Sequence, residues 1–284
     1  QLMKQYEEQW SSANPGLLII LIDQSGSMTS PMSGAGSKTR SEYASLAVNR
    51  VIKTIIDKSF NGKTPKNRAF VSVIGYNQDV HEIASGYIQD LAASPKRLET
   101  VTKKVPDDAG GLVDTTTEMP IWVEPIKEDG TTNMKGAFEQ AKDILEKWVA
   151  DKPQSPAPVV INISDGVPYW DRKQVDECKK ETEAIVSEIQ QIKTSDGAVL
   201  VFNACIGDGI KSIFPTSEDE AGDEEGAFLY GISSKIPEAY DDAAKKVELQ
   251  VRPNARGCIA GADAVDLVKL IDFGSSKGQS DLKR

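Results

Sequence analysis

Three observations in the sequence predict a doubly wound α/β fold, with a mostly parallel sheet, one antiparallel edge strand and helices on both faces. Apolar runs of six to eight residues recur along the chain, and their lack of polar alternation marks strands buried on both faces. Between them lie segments whose apolar residues return every three or four positions, the period of a helix packed on one side. Most connections are long enough for a helical crossover, which parallel neighbours need and which is right-handed in such sheets.

The elements follow in order. Leu17-Leu18-Ile19-Ile20-Leu21-Ile22 is the first buried strand, ending at the polar turn Asp23-Gln24-Ser25-Gly26-Ser27. Ala44, Ala47, Val48, Val51, Ile52, Ile55 and Ile56 define one helix face, with a stop at Asn61-Gly62. Ala69 to Tyr76 is the second strand. Val80 to Ala84 follows it too closely for a crossover, so the pair forms an antiparallel edge hairpin. A helix is expected from about Lys96 to Lys104, and Pro106 to Gly130 is expected as a loop insertion. Ala137, Ala141, Ile144, Leu145 and Trp148 form the next helical stripe, beginning just after Thr132-Asn133. Pro158 to Ile163 is a buried strand that stops at Ser164-Asp165-Gly166. A long helix from Asp171 to Lys193 turns Cys178, Ile185, Ile189 and Ile192 inward, and Val199 to Ile206 is a further strand. The pattern then loosens over a second insertion, residues 208–235, whose acidic block Ser217 to Glu225 is read as a solvated loop lacking the ligand spacing of an EF-hand. Pro237 to Val247 is expected as helix, Cys258 to Ala260 as a short strand and Asp263 to Ile271 as the closing helix.

Residues 16–274 read as one domain, with residues 1–15 as an extension and 275–284 as a tail. No internal repeat or interdomain linker interrupts them. With 284 residues, 39% hydrophobic and 27% charged, the chain can bury a sizeable core. Its net charge of −10 opposes binding to nucleic-acid phosphates. No apolar run approaches the roughly 18 residues of a membrane span, and no signal-peptide core is found. Cys178, Cys205 and Cys258 are widely spaced and odd in number, which fits buried free thiols better than a disulfide framework. A cytoplasmic setting is therefore expected, with neither nucleic acid nor membrane as partner.

Five oxygen-bearing residues stand out as candidate metal ligands: Asp23, Ser25 and Ser27 after the first strand, Thr132 before a helix, and Asp165 after another strand. In open α/β sheets, ligands bind outside the carboxyl ends of strands, where Asp23 and Asp165 both fall. Hard divalent cations prefer oxygen donors, Mg2+ in near-octahedral geometry with several retained waters. Two short hydroxyls separated by one Gly can reach the same ion. With few anionic ligands, that ion stays electrophilic toward an incoming carboxylate. Each piece taken alone has a plainer reading: a polar turn after a strand, Thr131 and Thr132 as a helix cap, Asp165-Gly166 as a turn.

Together, Asp23-Gln24-Ser25-Gly26-Ser27, Gly130-Thr131-Thr132-Asn133 and Ser164-Asp165-Gly166 resemble the von Willebrand factor A domain with its metal-ion-dependent adhesion site. The resemblance spans roughly Gly16 to Gly274 and implies a Rossmann-like arrangement. It further implies that Ser25 and Ser27 ligate the ion directly, that Asp23, Thr132 and Asp165 bind directly or through water, and that a partner's Asp or Glu completes the shell. The implied cofactor is Mg2+, with Mn2+ or Ca2+ as alternatives. The ending from Ala262 to Gly274 is similar to cytoplasmic bacterial stand-alone A-domain proteins, often associated with tellurite resistance or with kinase and phosphatase signalling.

Catalysis is not expected. A haloacid-dehalogenase-type phosphatase would need a second Asp two residues after Asp23, where Ser25 stands, and the alternative is a metal-dependent phosphohydrolase or related enzyme that uses the same ion to polarise a phosphate oxygen. Gly34 to Thr39 departs from a phosphate loop because Ser37 separates Gly36 from Lys38. His81, the sole histidine, lies on the hairpin strand, and Asp272-Phe273-Gly274 lacks a preceding kinase catalytic loop.

Overall fold

The computed structural model describes residues 4–32, 36 and 38–282. Gly34, Ala35 and Ser37 of the loop compared with a phosphate loop therefore lie outside the described residues. In chain order the elements are β1 (Gly16–Asp23), α1 (Arg40–Lys58), β2 (Ala69–Tyr76), β3 (Val80–Tyr87), α2 (Ile88–Ala93), β4 (Arg97–Pro106), β5 (Leu112–Ile121), α3 (Met134–Asp151) and β6 (Val159–Ser164). They continue as α4 (Val175–Ile189), β7 (Leu200–Ile206), β8 (Ser212–Ile213), α5 (Glu224–Gly231), α6 (Asp241–Lys246), β9 (Cys258–Ala262) and α7 (Ala264–Gly274).

Seven strands form one sheet in the order β3-β2-β1-β6-β7-β9-β8. The inner five run parallel, while β3 pairs antiparallel with β2 as expected and β8 adds a two-residue antiparallel strand at the opposite edge. β1 shows how the sequence builds the layers. Successive side chains on a strand point to opposite faces, so Leu18, Ile20 and Ile22 enter a core with α1 and α7, whereas Leu17, Ile19 and Leu21 enter a second core with α3 and α4. An unbroken apolar run is what a strand between two helical layers requires. The result is the doubly wound α/β architecture.

The chain leaves β1 through α1 to β2 on one side, and later arrives through α3 at β6 on the other. β1 and β6 thus flank the point where the winding reverses, and ligands of open α/β sheets bind beyond the strand carboxyl ends at such a point. Segments outside the expected domain also pack tightly. Trp10 is buried against Gly16 and Gly278, and its backbone N–H donates to the Lys277 carbonyl at 3.0 Å.

The structure corrects several element assignments. The expected helix at 96–104 and the loop after it are instead the antiparallel ribbon β4–β5, closed by a turn in which Asp107 Oδ1 accepts the N–H groups of Ala109 and Gly111 at 2.9 and 2.7 Å. Val101, Val105, Val113 and five Thr residues favour extended backbone over helix. The helix expected from Asp171 starts at Val175, because Asp171 and Arg172 adopt positive φ of 52° and 53°. The second insertion is not wholly irregular: it holds β8 and α5, and Asp223 caps α5 by accepting the Gly226 N–H at 2.9 Å. Asp272-Phe273-Gly274 closes α7, with Phe273 packed among Phe202, Phe214 and Tyr240.

Candidate metal centre

At the end of β1, Asp23 is fully buried. Its Oδ1 accepts the Ser25 N–H at 2.8 Å and its Oδ2 accepts the Ser164 hydroxyl at 2.6 Å. The chain then bends into a short 3-10 turn, Gly26–Thr29, that lifts Ser27 toward solvent while Ser25 stays buried. Their hydroxyl oxygens lie 3.2 Å apart. Gly26 allows a close approach between loops: its N–H donates to the Gly130 carbonyl at 3.1 Å, and a Cβ there would sit 2.9 Å from Asp129 Oδ1.

Asp165 follows β6, the strand paired directly with β1. Its Oδ1 accepts the Ser27 hydroxyl at 2.9 Å, and its Oδ2 accepts Arg40 Nη1 at 2.8 Å, with the Asp165 side chain only 2% exposed. Thr132 reaches the same rim through its backbone, which exchanges hydrogen bonds with Tyr169 at 2.7 and 3.1 Å. Next to it, Asn133 starts α3 by accepting the Gly136 N–H at 3.0 Å. Among the described residues, Ser25, Ser27 and Asp165 are therefore linked by direct side-chain hydrogen bonds. Asp23 joins them through the Ser25 N–H, and Thr132 through loop pairing alone.

Sequence reasoning missed three neighbours. Ser164 was visible inside its motif, and its role as donor to Asp23 follows from its place one residue before Asp165 on the strand beside β1. Arg40 carried a weaker signal, a basic residue in the first turn of a helix, where the macrodipole favours acids. Tyr169 carried none, because its pairing with Thr132 depends on two loops meeting in space.

Burial, and then the nearby Asp165 carboxylate, push the Asp23 carboxyl up to about 6. Tyr76, whose hydroxyl donates to Asn162 at 2.8 Å, is likewise raised well above its ordinary value, chiefly by burial and then by Asp23. The Asp23 and Asp165 carboxylates and the Ser25 and Ser27 hydroxyls thus form one hydrogen-bonded cluster, with Asp23 buried and Ser27 at the solvent edge, in which the carboxylates repel each other. This donor set fits a hard divalent cation: it is all oxygen, and an ion would relieve the repulsion that the fold imposes. Ser25, Ser27, Thr132, Asp23 and Asp165 are the side chains that would hold it. His81 pairs opposite Gly75 on the edge strand β3 and is exposed.

No protein-family model and no curated protein matches the chain. Among solved structures, the PilB minor pilin from Streptococcus sanguinis is similar with a TM-score of 0.50 at 11% identity, over 94% of this chain and 62% of that one. The ArnB paralog VWA2 from Sulfolobus acidocaldarius is matched with a TM-score of 0.37 at 17% identity, over 69% of this chain and 36% of that one. The vWF domain of the type V pili tip protein Mfa5 from Porphyromonas gingivalis is matched with a TM-score of 0.30 at 18% identity, over 55% and 39% respectively. The chain spans less than two thirds of the length of each of these three proteins. At such identities the likeness to the pilin is one of fold alone.

Proposed function

We propose that the chain is a von Willebrand factor A-type binding module in which a divalent cation, Mg2+ by preference, grips a carboxylate of a partner protein. The observation that carries this reading is the Ser27–Asp165 hydrogen bond of 2.9 Å, which joins two motifs 138 residues apart beside the buried Asp23. When bound, the ion supplies Lewis acidity toward an anionic oxygen. The chain's own residues orient it. Ser164 and the Ser25 N–H fix the Asp23 carboxylate, the 3-10 turn presents Ser27, and the Thr132–Tyr169 pairing sets the third loop. Ser25, Ser27 and Thr132 are neutral donors, and a carboxylate acting through water rather than directly would leave the ion a position and an attraction for a further carboxylate.

A cytoplasmic setting belongs to the same proposal, supported by three free, buried cysteines. No helix among the described residues is long and apolar enough to cross a membrane. The test is partner capture from lysate by the wild type, Ser27→Ala and Asp23→Asn, each with Mg2+ or EDTA. Capture is expected only for the wild type with Mg2+, while far-UV circular dichroism stays the same for all three. Equal capture in EDTA rejects the reading.

A further inference from the structure

Arg40 stands where helix chemistry disfavours a cation. It is the first residue of α1, at the positive end of the helix dipole, where negative charge is favoured. Glu42 already meets that preference and completes a capping box with Thr39, so the helix start has no need of a basic side chain. The guanidinium leaves the helix and reaches Asp165, 125 residues away, with Nη1 2.8 Å from Oδ2. Its Nε is buried without a hydrogen-bond partner. The ion pair with Asp165 therefore satisfies this guanidinium only in part.

The same contact leaves both oxygens of Asp165 engaged, Oδ1 by Ser27 and Oδ2 by Arg40. A divalent ion that claims Asp165 must displace, or share the carboxylate with, a positive charge already seated on it. Arg40 also borders a cavity of about 240 Å³ whose walls include Asp208, Asp223 and Glu225. Gly207 lines that side, and even a Cβ there would stay at an ordinary van der Waals distance, 3.4 Å, from Arg40 Nη2. The guanidinium has both an incentive and a place to move.

We infer that Arg40 is a tethered counter-cation of the metal centre: it holds Asp165 while no divalent ion is bound, and yields Asp165 to the ion by turning toward the acidic cavity. The inference rests on the metal-centre reading above and assigns regulation of that centre to a positioning residue that acts through Asp165. Its consequence is a site whose ion affinity is tempered by a built-in competitor. Neutralising Asp165 in the ion-free state also limits repulsion with Asp23.

The experiment measures Mn2+ binding by electron paramagnetic resonance on the full chain, for the wild type, Arg40→Gln and Arg40→Lys, with melting temperatures in EDTA and in saturating Mn2+. Arg40→Gln is expected to bind Mn2+ about tenfold more tightly, the weight of one charge-assisted hydrogen bond removed from competition. It should melt below the wild type in EDTA and close to it in Mn2+. Arg40→Lys, which keeps the charge but not the planar fork, should fall between the two in affinity. A merely structural ion pair would lower both melting temperatures equally and leave affinity unchanged or weaker, which overturns the inference and leaves the metal centre standing. Absence of Mn2+ binding by the wild type overturns the metal centre and the inference with it.

Discussion

Asp23 illustrates how a binding site is held against the preference of the fold around it. Its folded-state pKa, raised to about 6 by burial and by Asp165, lies above the ordinary 3.8. The ion-free folded state therefore binds more protons than the unfolded chain between those values. Stability contributed by this group is present at low pH, falls as pH rises from about 4 to 6, and stays lost above that window. Asp23→Asn removes the charge while keeping an oxygen for the Ser25 N–H and an amide that can face Ser164. In EDTA at neutral pH the variant is expected to be more stable than the wild type by on the order of 1–2 kcal/mol, with the gain shrinking toward pH 4. Urea denaturation at both pH values checks the sign; a wild type as stable as the variant at neutral pH would rule out the destabilising carboxylate. The variant should also fail to bind Mg2+, the exchange of stability for function expected of a preorganised site.

The β4–β5 ribbon is the element that departs most from expectation, and its anchoring explains how an exposed hairpin persists. Two-stranded ribbons are marginal in water by themselves, and most residues of this one are exposed on both faces. The structure ties down its exit instead. Asn49, buried on α1, accepts the N–H groups of Trp122 and Val123 at 2.9 and 3.0 Å and donates to the Val123 carbonyl at 2.9 Å, while Trp122 Nε1 donates to Leu91 at 2.8 Å. Asn49→Leu leaves those backbone groups buried and unpaired. It is expected to destabilise the protein by roughly 3 kcal/mol or more, read as a drop in the urea midpoint, and hydrogen exchange should quicken across residues 97–123. Exchange confined to the ribbon tip would show that the anchor lies elsewhere.

Across the whole molecule, the two-sided strands close into a sheet whose end opposite the candidate metal centre is sealed by residues from both flanks. Trp10 packs against Gly16 and Gly278, at positions where a Cβ would lie within 2.2 Å of its ring. Trp10→Ala is expected to cost about 3–5 kcal/mol through the cavity it leaves, seen by denaturation with metal binding retained. Loss of metal affinity at unchanged stability would instead couple that seal to the rim. The strands β1, β2, β6 and β7 were legible because burial on two faces writes an unbroken apolar run, the edge strand β3 because its connection to β2 is too short for a crossover, and α1 and α3 because packing on one face writes a three-to-four period. Asp23, Ser25, Ser27 and Asp165 were legible because each follows such a run within a few residues. The β4–β5 ribbon was not, since strands exposed on both faces carry no hydrophobic period. By itself the sequence determined the layers and which oxygen-bearing residues end up on one rim, because local period and turn chemistry are properties of neighbours in the chain. Only the tertiary structure decided that Ser27 meets Asp165, that Ser164 holds Asp23 and that Arg40 sits on Asp165, because contacts across 125 to 141 residues depend on strand order and loop approach, which no local pattern encodes.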